Sequence, residues 1–184
     1  MRSETLDASL GGVVGEPDLD TATVGLHSLR VPAVELTTVA VVRPGEVGAI
    51  QAIHDGKDNT HRAAFQYTPT GRYSLYTPGG QIESWAEITY LNDHLASHVM
   101  AARFSGATSK IWRDGAVIVS GTTDPQVTID SLRVGTDRSI GATWRGDLYQ
   151  VVTYSRALTD MEVAKVMMHL AQRFSLSLSL SLSL

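Results

Sequence analysis

The chain contains no cysteine, so disulfide staples and thiolate metal centres are excluded from the start. It is also short of positive charge: 15 Lys and Arg stand against 19 Asp and Glu. The basic residues are scattered singly rather than clustered, which argues against a nucleic-acid surface. No apolar run approaches the roughly 20 residues of a membrane-spanning helix, so no membrane partner is expected. The N-terminus, MRSETLDASLGGVVGEPDLD, carries acids where a secretory signal would need an unbroken apolar stretch. Synthesis and assembly in a cytoplasm are expected on that basis. Phosphate-binding glycine loops, a Ser nucleophile elbow and a dinucleotide fingerprint are all missing.

What the chain has is β pattern. Short segments rich in Val, Ile, Thr and aromatics, such as ELTTVAVVR, GAIQAIHD, RYSLYT, SWAEITYL, HVMAARF and WRGDLYQVVTYS, alternate with Gly, Pro and Asp turns. This spacing indicates an antiparallel sandwich or barrel rather than βαβ units. Asp114-Gly115, between two alternating apolar runs, is a strong hairpin signal because both positions of a type I′ turn need positive φ. One stretch reads as a helix, beginning at a capping box of Thr159 and Glu162 and carrying Met161, Val163, Val166, Met167, Leu170 and Phe174 at roughly helical spacing. The expected organisation is an arm over residues 1–20, a sandwich over 21–158, a helix over 159–174 and a Ser/Leu tail over 175–184. The arm's glycines, Gly11, Gly12 and Gly15, suit a flexible or partner-moulded segment.

Several stretches together resemble the concanavalin A-like, laminin-G-like jelly-roll superfamily. HVMAARFSGATSKIWRDGAVI is similar to its His-initiated strand pair ending in Asp-Gly, and ELTTVAVVRP to an upstream strand ending in Arg-Pro. Leu132 to Gly135, then Trp144, Gly146 and Leu148, then Tyr154-Ser-Arg-Ala-Leu158 with Glu162, match the C-terminal elements. The resemblance covers about residues 34 to 166. It implies an all-β fold: a concanavalin A-like jelly-roll β-sandwich of two antiparallel sheets, with one short C-terminal helix and extended terminal arms. Rim loops would be available for ligands.

Some members of that superfamily hydrolyse polysaccharides with Glu and Asp alternating on a strand. This chain has seven glutamates, and none begins such a motif. The nearest pair, Glu83 and Glu87, would sit roughly 13 Å apart on a strand, against the ~5–5.5 Å of a retaining pair. No enzyme is therefore expected. His94 and His98 are four apart, but His98 opens a strand and reads as a structural hydrogen-bonder. No cofactor is expected; for Ca²⁺ the weak candidates are the oxygen-rich residues Asp55, Asp58 and Asn59. A sugar would need an aromatic platform beside polar groups, for which Tyr73, Tyr76 and Trp85 are candidates.

The resemblance points first to a non-catalytic structural component of a large assembly: a phage virion protein, as capsid decoration, head fibre or tail. Self-association or binding to other virion proteins would use the arm and the tail. In FSLSLSLSLSL, Leu176, Leu178, Leu180, Leu182 and Leu184 would share one face of a strand about 35 Å long. A strand of that kind left free in water invites aggregation, so a covering partner is expected. The alternative is a carbohydrate-binding or host-adhesion module with a glycan partner.

Overall fold

The computed structural model describes residues 28–33, 35–45, 48–78, 80–83, 96–123, 129–139 and 141–178. The arm at 1–20, the expected strand at 84–91 with Trp85 and Glu87, His94, and Leu180, Leu182 and Leu184 lie outside the described residues.

Eleven strands are described: β1 (Ser28–Ala33), β2 (Leu36–Arg43), β3 (Gln51–Gly56), β4 (Ala64–Tyr67), β5 (Tyr73–Thr77), β6 (Gly80–Glu83), β7 (His98–Phe104), β8 (Ser109–Arg113), β9 (Ala116–Gly121), β10 (Ile129–Val134) and β11 (Asp147–Tyr154). One helix follows, α1 (Asp160–Arg173). The strands form two antiparallel sheets, ordered β1-β10-β3-β4-β5-β6 and β11-β2-β7-β8-β9. Neighbours distant in sequence, such as β10 beside β3 and β2 beside β7, give the crossed connections of a jelly roll.

Period-2 alternation assigns each side chain to a layer. From the five-stranded sheet Leu36, Ala40, Val42, Met100, Ala102, Phe104 and Ile111 point between the sheets. There they meet Ile53, Phe65, Tyr67, Tyr73, Leu75, Leu132 and Trp144. The alternate residues, Val39, Val41, Val99, Ala101 and Trp112, point to the outer side of the same sheet, where Leu158, Val163, Met167 and Leu170 cover them. A sheet covered on both faces reads as a continuous apolar run, which is why β2 and β7 show little polar alternation. Fully burying Val163, Met167 and Leu170 stabilises the helix by roughly 1.5–3 kcal/mol each before ordering costs.

The helix starts as the sequence indicates. Thr159 Oγ1 accepts from the Glu162 amide, and the Glu162 carboxylate accepts from the Thr159 amide. Arg156 holds the same carboxylate, and that pairing with the capping bonds lowers the Glu162 pKa to about 2. Arg103 ties the helix start to the sheet: Nη1 donates to the Leu158 carbonyl (2.9 Å) and Asp160 (2.7 Å), and Nη2 to the Thr108 carbonyl (2.8 Å). The β8–β9 hairpin turns at Asp114 (φ 48°) and Gly115 (φ 88°), as a type I′ turn requires. Asp114 also accepts from His98 Nδ1 (2.7 Å) and the Val99 amide (2.9 Å), making His98 the strand-opening hydrogen-bonder.

The tail departs from expectation. After α1 the chain reverses through a Schellman motif: the Leu176 amide donates to Ala171 O (2.8 Å), and the Ser175 amide to Gln172 O (3.3 Å). Ser175 takes the left-handed conformation (φ 53°) usually given to glycine. The turn lays Leu176 and Leu178, alongside Val152, Tyr154 and Phe174, against the buried apolar cluster outside the five-stranded sheet. The first two leucines of the stripe are thus covered by their own chain, and residues 176–178 are irregular rather than a strand.

Candidate functional site

With α1, Leu176 and Leu178 over one sheet, the outer face of the six-stranded sheet is where polar chemistry collects. Its composition follows from strand parity. In β4, Phe65 and Tyr67 enter the core, so Ala64 and Gln66 face outward. In β5, Tyr73 and Leu75 enter the core, so Ser74 and Tyr76 face outward. Register then sets the neighbours: Ala52 opposite Gln66, Gln66 opposite Ser74, and Tyr76 between Ala64 and Gln81. Leu132 is in the core, so Arg133 faces out beside its cross-strand partner Asp55.

The centre of the polar group is an ion pair. Arg62 donates to Asp55 from Nη2 (2.8 Å) and Nε (3.1 Å), with the Asp55 side chain fully buried and that of Arg62 13% exposed. Asp55 also accepts from the Gly56 amide (2.8 Å) and the Arg138 amide (3.3 Å). The guanidinium lies 4.4 Å over the ring of Tyr76, a cation–π contact that takes one face of a partly exposed aromatic. Gly56 is required where it stands, because a Cβ there would overlap the His61 carbonyl as the β3–β4 loop returns.

Two loops brace this end of the sheet. In the β3–β4 loop Asp58 accepts from His61 Nδ1 (2.7 Å), Thr60 Oγ1 (2.8 Å) and the Thr60 and His61 amides. The His61 and Thr60 bonds hold its carboxyl well below the usual range. In the β10–β11 loop Asp137 accepts from Ser139 Oγ (2.6 Å) and the Gly141 and Ala142 amides (2.8 and 3.1 Å). Burial would raise its pKa, but these hydrogen bonds outweigh it and keep the group ionised. The Arg145 amide donates to Gln51 Oε1 (2.9 Å) and anchors the loop to β3.

The sequence candidates divide accordingly. Tyr76 lies on the outer face. Tyr73 does not: it is fully buried, 4.9 Å from the Tyr67 ring between the sheets, so no sugar can stack on it. Asp55 and Asp58 are turned to different partners, Asp55 to a guanidinium and Asp58 to its own loop, and Asn59 is exposed. Among the described residues no three of His, Cys, Asp and Glu converge as metal ligands, and no helix is long and apolar enough to cross a membrane. Sequence reasoning missed the Asp55–Arg62 pair. Its signal was present, since opposite charges close the ends of the turn-rich stretch DGKDNTHR.

Two face-to-face antiparallel sheets, a helix sealing one of them and polar side chains on the other define a lectin-type β-sandwich. The chain belongs to the concanavalin A-like lectin/glucanases superfamily, whose family model matches residues 18–164. No curated protein sequence matches it. Among solved structures it is similar to the CBM40 of Ruminococcus gnavus IT-sialidase bound to alpha2,3 sialyllactose. That likeness has 14% identity and a TM-score of 0.58, over 72% of this chain and 82% of that one. It is also similar to the NanB sialidase of Streptococcus pneumoniae (11%, TM-score 0.57), covering 76% of this chain but 26% of that one. The leech intramolecular trans-sialidase is comparable, at 12% identity and TM-score 0.57, with 77% of this chain and 26% of that one covered. At such identities the likeness is one of fold.

Proposed function

We propose that the chain is a non-catalytic carbohydrate-binding module whose contact region is the outer face of the six-stranded sheet around Tyr76. The reading is carried by that face: a partly exposed aromatic beside the Arg62 guanidinium and its cross-strand neighbour Gln81, which is exposed. Sugars present apolar C–H faces and a ring of hydroxyls. They are held by an aromatic surface and by planar side chains that both donate and accept hydrogen bonds. The R. gnavus domain of the same fold binds sialyllactose, so acidic oligosaccharides are the first class to offer.

A glycan array probed with the full chain and with Tyr76→Ala tests this. Binding to at least one glycan class is expected, weakened about tenfold or more by the substitution, in keeping with the loss of one aromatic contact. Circular dichroism would confirm that the variant folds. Absence of binding to every glycan would overturn the reading. A second reading, a virion or other assembly component, draws on the Leu/Ser alternation of residues 175–184.

A further inference from the structure

Tyr149 stands in water at the edge of the five-stranded sheet. At 41% exposure it is the most open aromatic side chain among the described residues. It belongs to β11, the outermost strand of that sheet, whereas α1 packs on β2 and β7 and leaves this corner uncovered. Strand parity gathers its neighbours. Val41 points outside the sheet and Val42 between the sheets, so Arg43 faces outward again. The cross-strand partner of Arg43 is Asp147, which shares that side with Tyr149 two residues further on. The three side chains meet: Arg43 Nη2 pairs with Asp147 Oδ2, and Tyr149 OH donates to the same oxygen (3.1 Å).

The backbone beneath them is held firmly. Tyr149 is the extra residue of a β-bulge, since Leu148 and Gln150 pair with the consecutive residues Val42 and Val41. Bulges of this kind gather beside sites, where they re-aim side chains. The Trp144 indole donates to the Asp147 carbonyl (3.3 Å), and Gly146 lets the chain pass so close that a Cβ there would overlap the Arg43 carbonyl. One edge of the Tyr149 ring is propped by Phe174, with centroids 5.9 Å apart.

We infer that Tyr149, Asp147 and Arg43 form a second saccharide contact, separate from Tyr76 and suited to uncharged sugars with adjacent hydroxyls. The exposed ring offers a surface for the C–H face of a pyranose. Beside it, Asp147 keeps a second carboxylate oxygen to accept from one hydroxyl, and Arg43 keeps further N–H groups to donate to the next. Because Asp147 already balances the Arg43 charge, the pair selects hydroxyls rather than an acidic group. The inference rests on the reading of this sandwich as a carbohydrate-binding module, but not on Tyr76.

An array of uncharged oligosaccharides with sialyllactose beside them tests it, probed with the full chain, Tyr149→Ala, Asp147→Asn and Tyr76→Ala. Tyr149→Ala is expected to weaken binding of the uncharged set about tenfold or more, while Tyr76→Ala leaves that set bound. Asp147→Asn, an exposed and nearly isosteric change, should weaken the same set about threefold or more. It answers the question even where loss of the Tyr149 ring disturbs the fold seen by circular dichroism. No uncharged sugar bound by the full chain, or binding of that set unchanged in both Tyr149→Ala and Asp147→Asn, would overturn the second contact. Sialyllactose binding lost only in Tyr76→Ala would then leave the first reading standing. Binding that depends on Tyr149 and Asp147, with Tyr76→Ala harmless to every glycan, would keep the second contact and remove the first.

Discussion

Single residues show where burial forces chemistry. His54 is fully buried between Phe65 and Phe104, with ring centroids 6.1 and 5.9 Å away. Burial lowers its pKa from 6.5 to about 4, which the Ala63 backbone offsets only in part. Between these values the unfolded chain binds a proton that the folded chain refuses, so stability falls as pH drops through the window. Stability from this group is complete above 6.5, and its loss ends near 4. Linkage puts the change between pH 7 and pH 5 at about 2 kcal/mol. Urea unfolding at the two pH values should show it, and His54→Leu should remove most of the difference; an unchanged slope in the variant would sink the assignment. Tyr73 and Tyr76 make a second point. Three residues apart on one strand, they face opposite sides, so strand parity alone excludes a sugar platform shared by both.

Elements were legible in proportion to how local their signals are. The β8–β9 hairpin and the start of α1 were readable because Asp114-Gly115, Thr159 and Glu162 act within a few residues of themselves. The fate of the tail was not. A helix end followed by glycine announces a Schellman turn, but here Ser175 adopts φ 53°, and the Leu/Ser alternation suggested a strand instead. What binds Leu176 and Leu178 is the apolar outer face of a sheet assembled from β2, β7 and β11, which no local pattern displays. The outward polar group was hidden for the same reason: Arg62 meets Tyr76 only through the β4–β5 register. Since two half-buried leucines contribute about 1 kcal/mol each, ending the chain at Ser175 should destabilise it by about 2 kcal/mol. Ending it at Leu178 should cost little. Chemical denaturation of both shortened chains checks the pair, and equal stabilities would show that the packing of Leu176 and Leu178 is worth nothing.

At the scale of the whole molecule the two outer faces have opposite characters. The five-stranded sheet is sealed by α1, Leu176 and Leu178, while the six-stranded sheet carries Arg62, Tyr76 and Gln81 at its outer surface beside the buried Gln66 and Ser74. A binding module needs one such polar face and no partner chain. An assembly component needs an apolar strip left over for a neighbour, and the cis packing of Leu176 and Leu178 takes away the first two positions of that strip. An assembly role for the stripe then rests on Leu180, Leu182 and Leu184, which lie outside the described residues. The full chain and a chain ending at Leu178 are therefore expected to have the same oligomeric state by light scattering, and the same glycan binding. A larger species that collapses when residues 179–184 are removed would return self-association, and with it the assembly role, to first place. The same preparation decides between them because the proposed glycan-contact face lies on the sheet opposite Leu176 and Leu178, so losing one activity leaves the other measurable.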